Sequence, residues 1–243
     1  MKYLLVLISP FLFFVSCTKD GHEKPPVIIP DQSVDLNITY TVDNAALVLN
    51  SFNYQNQAGN TYSLSSLVYY LSKISLMKAD SSLVLLKEYQ YIDAFTTATN
   101  KLSIKGIPVG NYIGIKFNIG LDPLQNKSFQ LPATTENINM QWPDMMGGGY
   151  HVMKMEGSYK DLSATYGYAM HLGTDSCLIP IKLLKPINIT SGSNTPLTME
   201  MNINEWYRNP YKYDFNVDGN YIMGNMMAMK KIVLNGNDVF SIK

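Results

Sequence analysis

LSSLVYYLSKISLMKADSSLVLLKEYQYI, residues 64–92, decides the fold class. Two apolar runs, 64–76 and 83–92, flank the polar cluster Ala79, Asp80, Ser81 and Ser82. Runs of this length, rich in Val, Ile and Tyr and broken by a few turn-forming residues, read as a β-hairpin. Upstream, Val34, Leu36 and Ile38 alternate with Asp35 and Asn37, the period of a half-buried strand. Turns follow at Asp43-Asn44 and Gly59-Asn60, with Leu47 and Leu49 continuing the pattern between them. Downstream, residues 112–120 form a strand entered through Pro108-Val109-Gly110 and ended before Pro123, which cannot continue a ladder. Residues 150–156, 164–172, 177–189 and 197–206 read as further strands. The period then changes: Ile222, Met226, Met229 and Val233 fall on one helical face, with Asn235-Gly236 as its C-terminal stop. Residues 238–240 return to the sheet. The expectation is an all-β chain with a single β-sandwich-like domain of mostly antiparallel strands and one short C-terminal helix.

The chain's 243 residues carry a formal net charge of zero, with only 16% charged side chains. That charge provides no field to draw nucleic acid or an anionic surface, and no basic stripe with interleaved aromatics stands out. Residues 1–16 read as a signal peptide, with Lys2 ahead of an apolar run too short to span a bilayer comfortably. Ser16-Cys17 puts a small residue directly before a cysteine, the pattern of a bacterial lipidation site at Cys17. Residues 17–33, with Gly21, Pro25, Pro26 and Pro30, form the lipidated N-terminus and tether, and residues 34–243 form the β domain. Acyl chains at Cys17 would anchor the protein to a membrane. The expected location is the bacterial cell envelope, at the outer membrane, facing the periplasm or the surface. With Cys17 acylated, Cys177 has no disulfide partner and reads as a buried apolar residue, a soft metal ligand being the lesser reading.

Chemistry concentrates in residues 140–173, which hold Trp142 and two of the three histidines. On a strand starting at Tyr150, residues two apart share a face, so His151, Met153 and Met155 line one side, with Tyr150, Val152 and Lys154 on the other. If 150–156 and 164–172 pair, Met170 and His171 come near that face. Imidazole plus thioether is a soft set suited to copper, Cu(I) above all. The competing reading makes the methionines core filler and the histidines hydrogen-bonded core residues. Gly147-Gly148-Gly149 ahead of the strand permits a tight turn. Asp214, Asn216 and Asp218 stand at alternate positions before Gly219, as in a calcium loop, but position twelve is Asn225 rather than Glu. A polar turn capping the last helix through Asp218 or Asn220 is the favoured reading there. No motif of a nucleophile elbow, a zinc protease or a phosphate loop occurs, so an enzyme is not expected.

LVYYLSKISL (67–76), GNYIGIKFNIGLD (110–122), MQW (140–142), GYHVMKMEG (149–157) and HLG (171–173) together resemble the methanobactin-partner (MbnP-like) copper-binding domain family. The resemblance implies a β-rich, secreted or surface-anchored fold. It also implies copper held through histidines, beside a tryptophan that a partner di-haem enzyme can oxidise. His171 matches the family's His-Leu-Gly histidine, Trp142 its Met-x-Trp tryptophan, and His151 lies in the Gly-Tyr-x segment as a second ligand. Two places depart from the family's pattern. Relatives carry a second tryptophan where residues 143–146 read PDMM, and a first-strand histidine where this chain has Tyr40 and Thr41.

The expected function is therefore a non-catalytic envelope lipoprotein binding copper for acquisition or buffering. Its expected ligands are His151 and His171, supported by Met153, Met155 and Met170. Its expected partners are a di-haem envelope enzyme or an outer-membrane transporter. The alternative is a metal-free surface module for glycan or protein, using tyrosines and Trp206 in residues 206–213.

Overall fold

Strand β4 (Thr61–Met77) is the spine of the molecule. In this computed structural model, which describes residues 31–162 and 164–243, β4 is the longest strand. The expected signal segment, Cys17 and most of the tether lie outside the described residues. The expected hairpin forms, with β4 antiparallel to β5 (Leu83–Asp93). The opposite edge of β4 is shared: β8 (His151–Lys160) pairs with residues 61–69 and β7 (Gly110–Ile119) with residues 71–77. β10 (Ile179–Ile189) extends the sheet beyond β7, and β9 (Thr165–Gly173) extends it beyond β8. A short β3 (Tyr54–Gln55) meets the start of β4.

The second sheet is built on β1 (Ser33–Val42). β11 (Asn194–Asn202) runs parallel to it, and β12 (Phe240–Ile242) pairs antiparallel with β11. The other edge of β1 takes β6 (Lys101–Lys105) and then β2 (Ala45–Ala46). The two sheets form a sandwich-like fold of mostly antiparallel strands, as expected, with β1–β11 as a parallel pair.

The sequence patterns have direct structural causes. β1 faces solvent on one side, so Val34, Leu36, Ile38 and Val42 alternate inward. β4 is covered on both faces and is buried almost throughout. Its inner face contributes Leu64, Leu67, Tyr69 and Leu71 to the main core, while Tyr70 joins a second cluster with Leu121, Leu131, Met140 and Tyr150. Helix α1 (Thr135–Asn139), absent from the sequence reading, lies over that second cluster: Asn137 accepts from the Tyr70 hydroxyl at 2.7 Å.

The C-terminal helix differs from its expected outline. Helix α2 (Met226–Asn235) is capped by Asn225, whose side chain accepts from the Ala228 N–H at 3.2 Å, not by Asp218 or Asn220. Ile222 precedes it, donating its N–H to Ala169 on β9. The buried face is Ala228, Met229, Ile232 and Asn235, leaving Met226 exposed. Gly236 does end the helix, but in right-handed conformation; a Cβ there would sit 2.5 Å from Ile179 and 2.7 Å from Trp206. The expected strand over 197–206 ends at Asn202, where residues Ile203–Tyr207 tighten into a 3-10 turn. Among the described residues no helix is long and apolar enough to cross a membrane.

Candidate functional site

His151 opens β8 and His171 lies near the end of β9, and the two strands pair as expected. The register places His171 opposite Lys154 and Met170 opposite Met155. At the mouth of the hairpin Met153 faces Leu172 while His151 faces Gly173, so Val152 is an extra residue on β8. This β-bulge reverses the alternation. The expectation that His151 shares a face with Met153 and Met155 is corrected by it. The three methionines Met153, Met155 and Met170 point into the main core, each fully buried, with Tyr207 donating its hydroxyl to the Met155 sulfur at 3.5 Å. His151, Lys154, Glu156, His171 and Gly173 occupy the opposite face. The imidazole rings of His151 and His171 meet nearly perpendicular, their centroids 5.3 Å apart.

A loop closes over this pair. The Met140 carbonyl accepts from the His151 N–H at 2.7 Å, and Trp142 donates its N–H to the Gly149 carbonyl at 2.9 Å, so residues 140–142 run antiparallel to 149–151. The return between them needs three successive residues of positive φ, at 111°, 68° and 85°, which Gly147, Gly148 and Gly149 supply without steric cost. The loop lays the Trp142 indole edge-on against His151, with centroids 4.9 Å apart, and flat on the backbone of Gly173. A Cβ on Gly173 would lie 2.1 Å from the indole ring, so the glycine after His-Leu is the seat of the tryptophan. The indole N–H donates to the Met146 carbonyl at 3.0 Å.

Hydrogen bonding fixes the tautomer of each ring. A carbonyl can only accept, so the contact of His151 Nδ1 with the Met140 oxygen at 3.1 Å places the proton on Nδ1. Its Nε2 is then a lone pair, buried and without a partner. An ionised carboxylate likewise only accepts, so His171 donates Nε2–H to Glu156 at 2.7 Å and keeps its lone pair on Nδ1. Burial pushes His151 down to about 4, the Met140 carbonyl opposing this and the His171 ring adding to it. Burial also lowers His171, against the pull of Glu156. Both rings are therefore neutral at neutral pH and present one lone pair each. A buried ring nitrogen with no partner, beside a second lone pair oriented by a carboxylate, fits a metal cation that accepts few ligands. Among the described residues no group of three or more His, Cys, Asp and Glu could hold a metal.

The other candidates lie elsewhere. Asp214, Asn216 and Asp218 form a turn in which one Asp214 oxygen and both Asp218 oxygens are already engaged. Asp214 accepts from Asn216 N–H at 2.9 Å and from Asn60 at 3.2 Å, and Asp218 accepts from Asp214 N–H at 3.0 Å and pairs with Lys231. A lysine ammonium thus sits where a calcium ion would need that carboxylate. Cys177 is buried in the main core, and burial raises its thiol. Trp206, Tyr207 and Tyr213 are fully buried, which leaves Tyr211 alone of that group on the surface. Glu156 was missed in the sequence reading. Counting back from the closed end of the hairpin, where Lys160 faces Thr165, places it across from Ala169, two residues from His171. The bulge carries no sequence signal of its own.

A family model described as MbnP matches residues 31–227. No curated protein matches the chain. Among solved structures, MbnP from Methylosinus trichosporium is similar, with a TM-score of 0.51 at 11% identity, over 73% of this chain and 78% of that one. At this identity the likeness is one of fold, and it agrees with the sandwich described above. The family match spans most of the described residues, the hairpin with both histidines and the tryptophan loop included, and by it the chain belongs to the MbnP family.

Proposed function

We propose that the protein is a non-catalytic lipoprotein of the cell envelope that binds copper through His151 and His171, for acquisition or buffering. The observation that carries this reading is the buried, unpartnered Nε2 of His151, one ring away from a second imidazole with its lone pair free. Imidazole nitrogen is a good copper ligand, and two neutral rings without a carboxylate ligand favour the softer, low-coordinate Cu(I) over calcium or magnesium. Glu156 orients His171 and raises its basicity, as outer-shell carboxylates do. Membership of the MbnP family supports the copper assignment. The anchor rests on Ser16-Cys17, which would hold the domain at the membrane through lipid. Delivery from, or release to, a di-haem envelope enzyme or an outer-membrane transporter completes the proposal.

Copper titration of the protein under reducing conditions tests the site. The parent is expected to bind one equivalent at the histidine pair, and the double variant His151→Ala/His171→Ala to lose it. A double variant that folds and binds copper as strongly as the parent overturns the ligand assignment.

A further inference from the structure

Methionine is rarely left in water, yet Met145 is 93% exposed, Met227 82%, Met226 59% and Met223 40%. These four come from two segments that meet. Met145 and Met146 lie in the loop that carries Trp142, in the 3-10 turn Asp144–Met146. Met223, Met226 and Met227 flank Gly224 at the start of α2. The Met146 terminal methyl stands 3.6 Å from where a Gly224 Cβ would be, so the segments touch there. Both are tied to the histidine pair. The Met146 carbonyl holds the Trp142 indole that packs on His151. Ile222, next to Met223, donates its N–H to Ala169, two residues before His171 on the same strand face.

We propose that Met145, Met223, Met226 and Met227 form a second, surface thioether site for Cu(I), beside the histidine pair and separate from it. Thioether sulfur is a soft, uncharged ligand that selects Cu(I) over the hard cations of the envelope. The long, unbranched side chains can turn their sulfurs toward one ion without disturbing the backbone. An exposed sulfur cluster accepts a soft cation from solvent or from a donor protein, while the nitrogen pair beneath the tryptophan loop holds it out of solvent. The core methionines Met153, Met155 and Met170 take no part, because the bulge at Val152 directs them to the other face.

Ag(I), a redox-inert stand-in for Cu(I), tests this on the lipidated full protein in detergent, with the methionine methyl groups labelled for NMR. The parent should show shifts of the Met145, Met223, Met226 and Met227 methyl signals on adding silver nitrate, with those of Met153, Met155 and Met170 unmoved. The quadruple Met→Leu variant at the four surface positions, which keeps apolar volume, should bind one equivalent fewer than the parent. Equal stoichiometry in that variant, or unmoved surface methyl signals in the parent, overturns the proposal. The His151→Ala/His171→Ala variant separates the two sites. Retained methyl shifts in it support an independent surface site even if the histidine assignment fails, and their loss overturns the claim of a separate site.

Discussion

At Gly173 the Trp142 indole lies where any side chain would begin, 2.1 Å from the place a Cβ would take. Gly173→Ala must therefore lift the tryptophan off the strand or shift β9. Forced insertion of a methyl group into a packed site costs about 1–3 kcal/mol. The expected outcome is a lower Tm together with a changed near-ultraviolet circular dichroism band from the displaced indole. An alanine variant with the parent's Tm and spectrum would show that Trp142 does not rest on residue 173. At this scale much was legible in the sequence. Trp142, His151 and His171 stood out by residue type, and the structure brings their rings together edge to face. Gly173 and Glu156 did not, because a glycine's close contact and a carboxylate's orienting bond are three-dimensional facts with no periodic trace.

The hairpin of β8 and β9 separates nitrogen from sulfur. A single extra residue, Val152, sends His151 to one side and the methionines to the other. Leu in place of Met153, Met155 and Met170 together should leave copper stoichiometry and affinity as in the parent. Each swap conserves volume and costs below about 1.5 kcal/mol. Isothermal titration checks this, and a tenfold or greater loss of affinity would restore the core sulfurs as ligands. The alternation rule put His151, Met153 and Met155 on one face because a bulge is invisible to strict period-two counting. α2 failed in the same way. Ile222 fits the helical spacing, but its N–H is taken by Ala169 and Asn225 caps the helix three residues later. Strands β4, β5, β7, β8, β9 and β10 were legible because each is an apolar run bounded by turn residues. β2, β3 and β6 are too short to show a period.

In the whole molecule the tyrosines are the structural material. Tyr62, Tyr168, Tyr207, Tyr213 and Phe215 pack ring on ring where the start of β4 meets the C-terminal segment. Burial raises the hydroxyls of Tyr62, Tyr69, Tyr70, Tyr168, Tyr207 and Tyr213 well above the ordinary tyrosine range. The folded state holds these protons more tightly than the unfolded chain, whose tyrosines ionise near pH ~10. Their contribution to stability is thus complete below about pH 10 and is lost as pH rises beyond it. Tm should fall steeply above about pH 10, with most tyrosinate absorbance appearing together with unfolding. Gradual ionisation of all the tyrosines without unfolding would contradict this. The sandwich itself was legible from strand count and turn spacing, but the pairing of the sheets was not, since alternation shows which residues face inward and not which strand is the neighbour.

One pairing has a consequence in time rather than in space. β1, at residue 33, lies parallel to β11, which ends at residue 202, and Ser33 is matched with Asn194. During synthesis the first strand has its largest partner only after most of the chain has been made. Non-local pairing of this kind is slow to form. The second sheet therefore cannot be completed early on a growing chain: β1 can take up β2 and β6, but its other edge stays unpaired until β11 has been made.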